Sequence, residues 1–150
     1  MALANLFSIS TGALYAAPIL LAIQDQSWKP LIGAAGLLST LGMGEGIKHL
    51  VIGNASVRPH GARDCDAWAK NGNCEGQPGM PSTHAAFATF FAVFYFSQVG
   101  IIGRIALILY VILVIWSRLY KRCHTIGQVL VGTAFGIGMG MLFRMIARKL

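Results

Sequence analysis

A chain of 150 residues and 16.1 kDa supports one hydrophobic core, because dividing it would leave too little apolar surface for a second. With 55% hydrophobic residues, 11% charged residues and a mean hydropathy of +0.63, it lacks the charged surface of an ordinary soluble domain and points to the bilayer as solvent. The formal net charge of +7 sits at helix ends and in loops, with no basic helix face or continuous run, so the implied partners are anionic membrane lipids and no nucleic acid.

A hydrocarbon core of roughly 30 Å needs about 20 mostly apolar residues per crossing helix. Five runs meet that description, at residues 3 to 24, 30 to 53, 83 to 99, 101 to 117 and 125 to 143. The predicted fold is therefore an all-α integral membrane bundle of about five transmembrane helices, a single domain over residues 1 to 150. No Lys or Arg precedes the first run, which reads as a retained helix rather than a secretory signal. It ends in Gln24, Asp25 and Gln26, with Trp28 at headgroup level, and Trp116 with Tyr120 marks a similar level after the fourth run. Counting Lys and Arg on alternate sides leaves the orientation ambiguous.

Glycines four apart at Gly132, Gly136 and Gly140, and at Gly42 and Gly46, allow close helix approach in lipid. Another helix of the same chain is the preferred partner, and oligomerisation through these glycine-rich helices stays open. Phe87, Phe90, Phe91 and Phe94 recur at helical spacing, which ordinary packing explains better than a lipid-tail groove. Residues 54 to 82 form the only long polar connection, a length more often functional than idle. Asn54-Ala55-Ser56 matches a glycosylation acceptor, but its place against the membrane favours a helix-end role. Cys65 and Cys74 share this connection and either stay reduced or pair with each other in an oxidising lumen; a zinc site using them with His60 fits no common spacing.

Clusters of polar residues at helix ends fall on one common side. Lys48 ends the second run, where it either snorkels or pairs with Glu45 one turn earlier, and Arg58-Pro59 follows in the connection. Gly79-Met80-Pro81-Ser82-Thr83-His84 opens the third helix, either as a plain cap or as an anion site of free N–H groups. Ser117-Arg118 precedes His124, and Gln128 lies one turn beyond, so its amide oxygen can hold one imidazole nitrogen and present the other. Phosphoryl transfer needs such parts: cations and N–H donors for the equatorial oxygens, a nucleophile, and an acid for the leaving group.

The pattern resembles the type 2 phosphatidic acid phosphatase superfamily, whose motifs are a Lys with Arg-Pro, a Pro-Ser-x-His and a Ser-Arg-x5-His-x3-Asp. Here they stand as Lys48 with Arg58-Pro59, Pro81-Ser82-Thr83-His84, and Ser117-Arg118 to His124, within a motif region of residues 45 to 128. The resemblance implies phosphate binding by Lys48, Arg58, Ser82, Thr83 and Arg118, acid catalysis by His84 and nucleophilic attack by His124 oriented by Gln128. It implies no metal and no cofactor. Nine residues separate Lys48 from Arg58, more than the family's first motif has, and Gln128 stands where most members have Asp.

Gln128 after His124-Thr125 is similar to the dolichyl-diphosphate phosphatase branch, and the small size is similar to versions in large DNA viruses. The expected function is hydrolysis of a lipid phosphate or polyprenyl diphosphate through a phosphohistidine, in an endomembrane of endoplasmic reticulum type or a viral inner membrane. The rivals are a lipid monophosphate phosphatase of phosphatidate type and a catalytically lapsed membrane scaffold or virion structural protein.

Overall fold

The computed structural model describes residues 1–24 and 29–149. They form six α-helices: α1 (Ala2–Ala13), α2 (Ala16–Gln24), α3 (Lys29–Gly46), α4 (Thr83–Tyr95), α5 (Ile101–Tyr120) and α6 (Ile126–Lys149). No strand occurs among the described residues; the long connection before α4 carries only isolated antiparallel bridges, Val57 with Pro78 and Arg63 with Asn73. The all-α expectation holds, but the spans are distributed differently.

The first apolar run is broken, with α1 and α2 meeting at a 50° bend. Pro18 explains the break, since its ring clashes with a helical carbonyl four residues earlier, at Leu14, where α1 is capped. The second run leaves α-geometry after Gly46, continuing as a π-helical stretch, Ile47–Ile52, and a 3₁₀ turn, Gly53–Ala55, that includes Asn54. The third run yields only the 13 residues of α4, about 20 Å at the α-helical rise and short of the hydrocarbon thickness. Burial rather than length defines α4, because α1, α3, α5 and α6 all pack around it. Among the described residues α5 and α6 are long and apolar enough to cross a membrane, and α1 with α2 makes a third crossing if taken as one broken span.

The core consists of Leu37, Phe87, Phe90, Phe94, Tyr95 and Met139. The phenylalanine stripe of α4 is thus packing, with the Phe90 and Phe94 rings stacked at 5.8 Å. Trp116 stacks on Tyr120 at the end of α5 with ring centroids 5.1 Å apart, whereas the interface reading of Asp25, Gln26 and Trp28 lies outside the described residues.

The α6 glycine stripe is occupied within the chain. A Cβ on Gly132 would meet the backbone of Ser82, one on Gly136 the backbone of Ala86, and one on Gly140 the Val93 side chain and Phe90 carbonyl. The two helix backbones are therefore in direct contact. Gly42, Gly46 and Gly138 have open space where a Cβ would point. Gly136→Leu should force α6 off α4 and cost roughly 1 to 3 kcal/mol by thermal unfolding in detergent, while Gly138→Leu stays near the native value. Equal melting temperatures for the two variants would contradict this packing.

Candidate active site

The sequence motifs come together where α4 begins, α5 ends and the long connection folds over the bundle. Lys48 is only 4% exposed, an expensive place for an ammonium unless it is paired. Its Nζ donates to Glu45 Oε1 at 2.5 Å and to Thr83 Oγ1 at 2.6 Å, so the π-helical stretch ties the second run to the first turn of α4. Arg58 donates from Nε to the Pro78 carbonyl at 3.4 Å. Lys48, Arg58, Thr83, His84 and His124 all line one cavity of about 360 Å³, together with Glu45 and an apolar wall that includes Tyr15, Leu41 and Phe87. The longer interval in the first motif does not separate its ends, because the π and 3₁₀ segments take up the extra residues.

Ser82, Arg118 and Gln128 lie behind this wall rather than on it. Arg118 is fully buried, donating from Nη1 to Ser8 Oγ at 2.7 Å and from Nη2 to the Cys65 carbonyl at 2.6 Å. Arg58 Nη1, Ser82 Oγ, His84 Nε2 and Arg118 Nε are buried without a hydrogen-bond partner among the described residues. Unpaired buried polar atoms are costly; ten occur among the described residues, and these four belong to motif residues around one cavity, where an anionic ligand would satisfy them. Ser8 escaped the sequence reading; its only signal is a hydroxyl one turn from Thr11 inside an apolar run.

His124 is 4% exposed, with Nδ1 lying 3.2 Å from Gln128 Oε1. Gln128 Nε2 faces only acceptors, the Ser56 carbonyl, Ser56 Oγ and the Val57 carbonyl at 2.8 Å, while Oε1 also accepts from the Thr125 N–H at 3.1 Å. That surrounding fixes which end of the amide is oxygen. His124 Nδ1 must then carry the proton, leaving Nε2 with a free lone pair. Burial pushes the His124 pKa well below the ordinary histidine value, Arg118, Arg58 and Lys48 push it the same way, and the Gln128 bond opposes them. All but the last of these causes favour the neutral ring.

A family model described as PAP2 superfamily matches residues 29–150, more than half of the chain. The chain belongs to the PAP2 superfamily. Membership implies phosphatase chemistry on a phosphorylated substrate and, with the apolar helices, a membrane protein. Neither the curated proteins nor the solved structures contain a match.

The cysteine expectation needs correcting. Cys65 is bonded to Cys123, not to Cys74, whose thiol stays free and buried beside them. Nearness in sequence favoured Cys74, but the fold carries the turn after α5 against the connection, placing the Cα atoms of Cys65 and Cys123 5.4 Å apart. The bridge joins the connection to the residue preceding His124. His60 lies away from the cysteines, exposed and 3.7 Å from Glu75, and among the described residues no group of three or more His, Cys, Asp or Glu is placed to hold a metal.

Gln128 is the PAP2 departure with most structural consequence. An Asp there would be one methylene shorter and have no N–H for the Ser56 and Val57 carbonyls that the amide now serves. Gln128→Asp should destabilise the protein by roughly 1 to 3 kcal/mol in thermal unfolding; a variant as stable as the native chain would refute the brace. For His124, the signs agree that protonation occurs only below the ordinary value of 6.5. A ¹⁵N NMR titration should find its ring still neutral at pH 6.5 with Nδ1 protonated, and a midpoint at or above that pH would overturn the assignment.

Proposed function

We propose that this PAP2 protein is a membrane lipid phosphatase acting through a phosphohistidine at His124. The observation that carries the proposal is that both histidines open on the cavity bearing Lys48 and Arg58. In this mechanism Lys48, Arg58, Thr83 and the first N–H groups of α4 hold the equatorial phosphoryl oxygens, backed by Ser82 Oγ and Arg118 Nε, which lie behind the cavity wall without other partners. His124 Nε2 attacks phosphorus while the bond to the leaving oxygen breaks and His84, protonated once the anionic phosphate offsets the cations around it, donates that oxygen a proton. Neutral His84 then takes a proton from water, whose oxygen attacks phosphorus and releases phosphate from Nε2. Gln128 keeps Nδ1–H in place throughout. No step calls on a metal or cofactor.

A cavity of about 360 Å³ with Tyr15, Leu41 and Phe87 on its wall suits a headgroup phosphate and the start of an apolar tail. Gln128 favours a polyprenyl diphosphate, by its similarity to the dolichyl-diphosphate phosphatase branch. Glu45 favours the second reading, a lipid monophosphate: its carboxylate on Lys48 lowers the net positive charge that Lys48 and Arg58 present to the cavity. The Cys65–Cys123 disulfide supports a catalytic side facing an oxidising compartment such as the endoplasmic reticulum lumen.

Phosphate release from a polyprenyl diphosphate and from phosphatidate, measured in detergent with a chelator present, tests the proposal. The native chain should turn over at least one of them. His84→Ala should lower the rate by about a hundredfold to ten-thousandfold, and His124→Ala should leave only background with no acid-labile phosphoenzyme. Full activity in His124→Ala would exclude the phosphohistidine; an inactive native chain would favour the scaffold.

A further inference from the structure

A second site lies at the opposite end of the bundle. Helices α5 and α6 each pack on α4 but scarcely touch one another, so a groove of about 450 Å³ opens between them with α4 as its floor. Val93 of the buried α4 lines the floor, Ile112 of α5 one wall, and Ile137 and Met141 of α6 the other, and α5 and α6 are long and apolar enough to cross the hydrocarbon. A groove open to lipid in this region is filled by an apolar chain, because no water is available to it.

Arg144 closes the groove. It follows Ile126, the first residue of α6, by 18 positions, about 27 Å along a helix, which places it at the interface away from the catalytic cavity. Its Nε is buried with no hydrogen-bond partner among the described residues, an uncommon and costly state for a guanidinium N–H. Arg104, at the same end, has a use: its Nε donates to the Phe96 and Val99 carbonyls and its guanidinium lies over the Phe96 ring. The described Asp and Glu side chains, Glu45, Asp64, Asp66 and Glu75, all belong to the catalytic side, while Arg148 and Lys149 add positive charge beside Arg144.

From this geometry we infer that the groove holds one anionic glycerophospholipid of the leaflet opposite the catalytic cavity. Its phosphate accepts from Arg144 and an acyl chain lies between Ile112 and Ile137. Charge selects the lipid class: a zwitterionic headgroup would bring a cation toward Arg144 and Arg148, and an anionic one does not. This site is separate from the catalytic cavity and requires no catalysis, so it stands or falls independently of the phosphatase proposal.

Native mass spectrometry of the full chain, released from nanodiscs of phosphatidylcholine and phosphatidylglycerol, tests it. One phosphatidylglycerol should be retained per chain in preference to phosphatidylcholine. Arg144→Gln should weaken that retention by about tenfold or more, the loss of a charged hydrogen bond, and Arg144→Lys should recover part of it. Ile112→Trp, which fills the groove from its exposed wall, should remove the lipid while Arg144 remains, and His124→Ala should keep it. Circular dichroism identifies any variant that fails to fold, in which case the other substitution decides. Equal retention of the two lipids, native-like retention in folded Arg144→Gln or Ile112→Trp, or a second copy of the chain held in place of lipid would each overturn the inference.

Discussion

The contact between the backbones of α6 and α4 governs the site. With no Cβ at Gly132 or Gly136, the first half of α6 lies directly against Ser82 and Ala86, and the Ser82 N–H donates to the Gln128 carbonyl at 3.1 Å. Those residues border the second motif on one side and the third on the other. His84 and His124 therefore share a cavity through a rigid main-chain contact, not through the reach of flexible side chains. Such contact suits a bilayer, where close packing replaces the hydrophobic drive that holds helices together in water.

Around that contact the protein keeps an unusual density of buried polarity. Arg118 and Lys48 are almost completely shielded, and each is compensated in a different way. Lys48 is neutralised by Glu45 and oriented by Thr83, while Arg118 has only the neutral oxygens of Ser8 and Cys65 as partners. A charge so placed keeps its field, because little solvent or counter-charge screens it. His124 feels that field, which together with its own burial lowers its pKa. Arg118, Arg58 and Lys48 thus all act against protonation of His124.

Much of this was legible in the sequence, and the parts that were not share a cause. Pro-Ser-Thr-His and Ser-Arg followed by His are local patterns whose chemistry depends on residue type and short spacing, so they could be read directly. The all-α class followed from composition. Hydropathy could not show that Pro18 bends the first run or that α4 stays short, because a short helix buried among others has the same apolar character as a span. Ser8 and Cys123 acquire their roles from partners far along the chain, Arg118 and Cys65. No pattern within one segment encodes such a pairing.

The amide at position 128 shows how a departure from a family motif can be a local solution. An Asp would stabilise an imidazolium at His124 more strongly than a neutral amide can. It would also have no N–H for Ser56 and Val57, the residues that lead the chain into Arg58. Gly79 belongs to the same arrangement, since a Cβ there would strike the Gln128 side chain, and its own N–H donates to the Ser56 carbonyl at 2.9 Å. The connection is therefore held at its start by the amide, at its end by Gly79 and at its middle by the Cys65–Cys123 bond. What His124 lacks in electrostatic support from residue 128 is exchanged for a fixed start of the connection, which carries Arg58 into the cavity wall.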